Sequence, residues 1–152
     1  MSKKIEKYDV IVVGGGSSGL MAAGRAGELG KRVLLLEKNS KLGEKLKITG
    51  GGRCNVTNAE EDIHALLKHY GDGAPFLYSP FSQFGVKDTF RFFEVRGLPL
   101  IVEARKRAFP NTQKAFDVFK VMEKYVRNGK VTIKLSSPVV KIATEEGNIR
   151  GV

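Results

Sequence analysis

Val10-Ile11-Val12-Val13-Gly14-Gly15-Gly16-Ser17-Ser18-Gly19 is the stretch that decides how this chain folds. The apolar run reads as a strand over 8–13, buried on both faces. Three glycines break it. A run rich in small residues follows, with Gly19, Ala22, Ala23, Ala26 and Gly27, and reads as a helix over 17–29 stopped by Gly30. Gly14, Gly16 and Gly19 satisfy G-x-G-x-x-G. At this glycine content such a match arises by chance roughly 0.2 times in a chain of this length, so the flanking strand and helix carry the weight. A second strand over 32–37, built on Val33-Leu34-Leu35-Leu36, ends in an acid, Glu37.

Each part of this unit has a physical task. Gly14 makes the turn out of the strand, Gly16 leaves room for a pyrophosphate at the backbone, and Gly19 lets the helix sit close to the sheet. The helix N-terminus offers unpaired N–H groups and a partial positive charge, and Ser17 and Ser18 add hydroxyl donors. Glu37 accepts from the hydroxyls of a ribose and repels a 2′-phosphate, which argues against NADP here.

Further along, 38–58 is long, polar and irregular, which suggests a functional loop rather than a connection. It contains Gly50-Gly51-Gly52-Arg53-Cys54-Asn55. Three consecutive glycines make a backbone able to wrap an anion or lie on a flat ring. An NAD domain ordinarily proceeds from its second strand into a helix, so this excursion favours a longer cofactor, FAD. The periodicity then gives a helix over 60–70, an aromatic loop over 75–84, and a helix over 86–96. Short strands follow at 100–103 and 107–109, then an amphipathic helix over 113–128 and a strand over 131–135. A hairpin of 139–143 with 148–152 closes the chain. The aromatics Phe76, Tyr78, Phe81, Phe84, Phe90, Phe92 and Phe93 read as core, or as the lining of an apolar pocket.

Composition sets outer bounds. With 41% hydrophobic and 28% charged residues, the 152-residue chain is globular. Met1-Ser2-Lys3-Lys4-Ile5-Glu6-Lys7 precedes the first strand without an apolar signal core, so a cytoplasmic location is expected, and no membrane contact. One cysteine, Cys54, excludes an internal disulfide and a flavin-linked cysteine pair. It reads as a small packed residue, with a reactive, low-pKa thiol beside Arg53 as the alternative. His64 and His69 do not share a helix face, and no metal site is expected. The net charge of +10 is densest over 38–47 and at Arg105-Lys106-Arg107. An anionic ligand, a nucleic acid and a solvated surface are the readings of that charge; no nucleic-acid partner is expected.

Glu37-Lys38 with the run Thr49-Gly50-Gly51-Gly52-Arg53-Cys54-Asn55-Val56-Thr57-Asn58 resembles the BaiN-like (YhiN-like) NAD(P)/FAD-dependent flavoproteins. Phe92-Phe93, Gly97-Leu98-Pro99, Glu103, Arg107, Phe109-Pro110, Lys114-Ala115, and Val139 with Ile142 also fall where that family has them. Lys106-Arg107-Ala108 departs from its frequent Gly-Arg-Val. The resemblance implies a glutathione-reductase-like FAD domain, and an activity in which NAD(P)H reduces a small, apolar, unsaturated substrate through FAD. Carried over by position, Gly14, Gly16, Ser17, Ser18 and Gly19 hold the pyrophosphate, and Glu37, with Lys38 beside it, binds the ribose. Lys45 and Gly51, Gly52, Arg53, Cys54 and Asn55 approach the ribityl chain and flavin, with Lys45 or Arg53 stabilising charge on a reduced flavin. The backbone at Val139 or Val140 meets the adenine.

The fold class expected is α/β: a Rossmann-like FAD-binding domain with a parallel sheet and the start of an antiparallel meander. Its parts are 1–58 and 111–152, with 59–110 an inserted helical and aromatic segment. The chain is expected to be the N-terminal portion of a longer protein whose remainder it needs for activity. The rival readings are an NAD-binding module without flavin and a fragment that binds no cofactor.

Overall fold

A computed structural model describes residues 5–152; the first four residues, read above for a signal segment, lie outside the described residues. The chain divides into two compact units, one of 5–45 with 122–152 and the other of 46–121.

The first unit holds β1 (Val10–Val13), helix α1 (Ser17–Glu28) and β2 (Val33–Leu36). Beyond them lies a third strand, Thr132–Lys134, reached through the end of a long helix. The three strands are parallel, with Val33–Leu36 in the middle. Val10 pairs with Val33, and Leu34 with Thr132. All four residues of β2 are buried, as a central strand covered on both faces requires. Burying each contributes about 2 kcal/mol. β1 is a correction to the sequence reading: Val10 and Val12 are half-buried, but Ile11 and Val13 are exposed. Helix α1 covers one face of β1 only, and an apolar run cannot reveal which face lacks a cover.

Helix α1 sits close to its neighbours because it is built of small residues. A Cβ on Gly24 would lie 2.3 Å from the Tyr125 ring, and one on Gly27 would lie 2.6 Å from the Gly129 carbonyl oxygen. The Tyr125 hydroxyl donates to Glu28 at 2.9 Å and closes this packing with a polar tie.

The second unit opens with tight turns over Leu46–Gly52, kinked at Thr49, and continues through β3 (Thr57–Asn58) and α2 (Ile63–Lys68). Asp62 caps α2 by accepting from the amides of His64 and Ala65. Helices α3 (Ala74–Gln83) and α4 (Val86–Glu94) follow, then β4 (Leu100–Glu103) and β5 (Arg107–Pro110). The long helix α5 (Ala115–Asn128) begins here, and the strand Thr132–Lys134 is β6. The sheet of this unit is antiparallel in the order β3-β5-β4. Its core contains Leu66, Leu67, Phe92, Phe93, Leu98, Ala108 and Phe109. Phe92 and Phe93 meet edge to face at 5.1 Å.

The loop expected over 75–84 is a helix. Pro75 stands in its first turn, where no amide hydrogen is needed, and the helix tolerates Pro80 further in. Phe76 is 81% exposed on it, so this aromatic is not core. The expected final hairpin is shorter than predicted: β7 (Ala143–Glu145) pairs with β8 (Asn148–Gly151), and 139–142 form no ladder. The stretch 38–58 is irregular as expected, apart from the short strand β3: Leu46–Gly52 is broken by extended backbone at Thr49 and left-handed glycines.

Candidate dinucleotide-binding site

The glycine loop sits between β1 and α1. The Gly14 amide donates to the Leu36 carbonyl at 2.8 Å, continuing the β1–β2 ladder by one step. Gly14 then turns the chain at φ +97°, a conformation closed to residues with a Cβ. A Cβ on Gly19 would lie 1.9 Å from the Gly14 carbonyl oxygen and 3.4 Å from Val12. The third glycine therefore permits the close approach of helix to strand that the sequence suggested. Around Gly16 the situation is the reverse, since a Cβ there would meet nothing within 4 Å. Space is thus kept clear at Gly16, at the N-cap of α1, while Gly19 is filled by its own chain. Ser17 and Ser18 are exposed on the first turn, which carries no acidic residue.

Glu37 is the one buried charged residue among those described, 7% exposed. Its Oε2 accepts from the Gly15 amide at 2.6 Å and its Oε1 from the Asn39 amide at 2.8 Å. Burial raises its pKa, but these amides, the one at Lys38 and the Lys38 charge outweigh that, and the carboxyl titrates below its ordinary value. Each carboxylate oxygen has a second lone pair, so Glu37 is held rigidly and still able to accept from two hydroxyls. Gly15, which the motif leaves as a free position, is fixed by this contact. A Cβ on it would lie 3.2 Å from the Glu37 Oε2 and 2.3 Å from Leu42. Sequence reasoning missed that role; the signal was a glycine where the motif does not ask for one. The Gly43 amide donates to the Gly15 carbonyl at 2.9 Å, so 42–43 also brace the loop.

Segment 136–137 is drawn to the same place. Ser137 donates its amide to the Glu37 carbonyl at 2.8 Å, and Ser136 to that of Asn39 at 2.9 Å. Val139 is half-buried beyond them, and Val140 is 94% exposed. Lys38 and Lys45 are exposed side chains of the same unit. A cleared backbone position, a helix N-terminus and an anchored carboxylate fit the pyrophosphate and ribose of a dinucleotide.

In the second unit, the triple-glycine loop is left-handed throughout, with φ of +56°, +65° and +85° at Gly50, Gly51 and Gly52. The turn closes on itself: Arg53 donates its amide to the Gly50 carbonyl and Cys54 to that of Thr49. A Cβ on Gly50 would lie 2.8 Å from the Asn55 nitrogen, whereas Gly51 and Gly52 face open space. That pair presents bare backbone. Asn55 is exposed, and Cys54 is 4% exposed at φ +61°. Burial pushes the Cys54 thiol up, against a smaller opposing hydrogen bond from Thr49, so the low-pKa reading is not the one found. The Arg53 charge is likewise engaged: its guanidinium grips Glu103 with both nitrogens, at 2.9 and 3.1 Å. In this conformation it is no free cation for a reduced flavin. The exposed turn at Arg105 and Lys106 is also left-handed, and Lys106 pairs with Glu60. No described helix is long and apolar enough to cross a membrane.

Comparison with known proteins bears on the family and the fold. Ribosomal RNA dihydrouridine synthase of Escherichia coli is 29% identical over 142 residues, 93% of this chain and 34% of that protein. The 3-dehydro-bile acid delta(4,6)-reductase of Clostridium scindens is 33% identical over 125 residues, 80% of this chain and 29% of that protein. The chain thus spans about a third of the length of these curated relatives. Among solved structures, a 3-ketosteroid-delta4-(5alpha)-dehydrogenase from Rhodococcus jostii RHA1 superposes with a TM-score of 0.68 at 16% identity, over 95% of this chain and 41% of that one. A flavocytochrome c3 fumarate reductase does so at 0.64 and 20% identity, over 95% and 29%. At such identities the likeness concerns the fold, which is the Rossmann-like FAD-binding α/β fold expected from the sequence. Residues 8–152 match the family described as HI0933-like protein Rossmann domain, and the chain belongs to that family.

Proposed function

We propose that this chain is the FAD-binding part of a cytoplasmic flavoprotein oxidoreductase that uses NAD(P)H to reduce a carbon–carbon double bond in a small apolar substrate. One observation carries the dinucleotide reading, that the Glu37 carboxylate, anchored on the Gly15 amide, stands next to the cleared backbone at Gly16, and the triple-glycine loop then favours FAD over NAD. Gly16, Ser17, Ser18 and the α1 N-terminus bind the pyrophosphate. Glu37 orients the ribose and disfavours a 2′-phosphate, and the backbone at Val139 lies along the adenine. The family resemblance, not the placement of the two units, assigns the bare backbone of Gly51 and Gly52 to the flavin ring, and it leaves Lys45 as the other candidate cation for a reduced flavin. Bound FAD would supply the hydride chemistry, while these residues bind and orient it. The substrate class draws on the bile acid reductase among the relatives.

A second reading has RNA as the substrate. The net charge of +10 and the exposed Arg105-Lys106-Arg107 turn favour it, as does the name of the ribosomal RNA relative. The protein from the complete reading frame should be yellow, or become so with FAD, and bleach when NADH or NADPH is added anaerobically. A colourless protein that binds NAD but not FAD at micromolar concentration would refute the flavin reading. Tight RNA binding that weakens steeply with salt would move the substrate from the apolar class to nucleic acid.

A further inference from the structure

Arg53 leaves the triple-glycine loop into a cage of three side chains. Its two terminal nitrogens meet the two Glu103 oxygens, and its Nη1 also donates to Gln113 Oε1 at 2.8 Å. Gln113 Nε2 closes the triangle by donating to Glu103 Oε1 at 3.2 Å. Beneath them lies the Phe109 ring, its centroid 4.0 Å from the guanidinium carbon, itself 2% exposed. A planar fork gripped on two edges and stacked on a buried ring has little freedom left. Gln113 holds a φ of +58°, a conformation that a residue with a side chain keeps only where its surroundings fix it.

The cage matters because of what it is attached to. Three consecutive left-handed glycines have no side chains of their own to define their shape, and glycine has the largest backbone freedom to lose. The loop closes through the amides of Arg53 and Cys54, so fixing the Arg53 side chain fixes the end of the loop. Glu103 stands on β4 and Gln113 just before α5, both held by the packed sheet and helix of the unit. The cage also neutralises Arg53, so Gly51 and Gly52 offer backbone dipoles rather than a full charge.

We propose that Glu103 and Gln113 are positioning residues of the cofactor site: they clamp Arg53, and through it hold the triple-glycine loop in the shape that receives the flavin. The proposal rests on the FAD reading above. It is tested on the protein from the complete reading frame with E103Q, Q113A, R53K and the R53K/E103Q double variant. FAD affinity is measured by quenching of flavin fluorescence, the bound flavin by its visible circular dichroism, and the fold by apo-protein melting. E103Q should weaken FAD binding about tenfold, the low end for loss of a supporting partner, and Q113A somewhat less. Both should alter the visible dichroism of the flavin that still binds. The double variant should bind no worse than the weaker single one, since both remove one contact. Variants that melt lower yet bind FAD within twofold of wild type, with an unchanged dichroism, would overturn the clamp and leave a purely structural ion pair. Additive losses in the double variant would overturn it too. If E103Q does not fold, Q113A alone decides, because it leaves the ion pair in place. Failure of the wild type to bind FAD at all would overturn the flavin reading, and the clamp with it.

Discussion

Gly16 and Gly19 belong to one motif, yet alanine at each should fail for different reasons. At Gly19 the new methyl would lie 1.9 Å from the Gly14 carbonyl oxygen, and ordinary contact starts near 3.4 Å, so helix or loop must give by about 1.5 Å. Overpacking against main chain costs about 3 kcal/mol, and the better helix propensity of alanine returns about 1. The net of about 2 kcal/mol lowers the melting temperature by roughly 4–8 °C in a chain of this size. At Gly16 a Cβ meets nothing within 4 Å, and φ −78°, ψ −173° suits alanine. Only the weaker N-cap preference of alanine is lost, within about 1 kcal/mol. The methyl would, however, stand in the open space that the proposed function gives to a phosphate oxygen of FAD. Losing one charge-assisted hydrogen bond costs about 1.5–3 kcal/mol, or roughly 10- to 100-fold in FAD affinity. Apo-protein melting by circular dichroism and FAD titration by fluorescence measure both effects. G16A binding FAD within threefold of wild type would refute the assignment of that space to the pyrophosphate. G19A melting like wild type would refute the close-approach argument.

Glu37→Gln should destabilise the apo-protein by about 1–3 kcal/mol, because an amide cannot accept on both sides from Gly15 and Asn39, and should weaken FAD in the same protein; melting and titration check it. The Glu37 carboxyl titrates below its ordinary value, so its stabilisation is complete above the unfolded carboxylate pKa and is lost as pH falls through the lower folded one. Melting temperature against pH should therefore drop less steeply in acid for E37Q than for wild type; identical slopes would refute the linkage. Cys54, buried and with its thiol pKa raised, should react with iodoacetamide at neutral pH far more slowly in the native protein than in urea, and equal rates would contradict its burial.

The strand–glycine–helix unit was legible because each of its steps is local. Apolar run, glycine break, small-residue helix and second strand with its acid follow one another within 37 residues, and the structure forms them in that order, with both strands shorter than read. What escaped depended on residues distant in sequence. Nothing near Ile11 and Val13 says that one face of β1 lacks a cover. Glu103 and Gln113 lie 50 and 60 residues from Arg53, so the cation that looked free in the sequence is not free in the fold. The stretch 75–84 read as a loop because the position of Pro75 and Pro80 relative to a helix start is invisible before the helix is placed. Gly15 was overlooked for a related reason: its neighbours Glu37 and Leu42 reach it only once β2 lies beside β1.

That contact has an evolutionary side. Residue 15 stands at a position the motif treats as open to any amino acid, but here its choice is tied to residues 37 and 42. A lineage that acquired alanine at 15 would have to turn the Leu42 side chain aside and shift the Glu37 carboxylate by a few tenths of an ångström. The three sites should drift as a set among descendants of this chain, each change dragging the other two. A glycine at 15 without an acid at 37 would then mark a lineage that has given up the carboxylate anchor and kept only the turn.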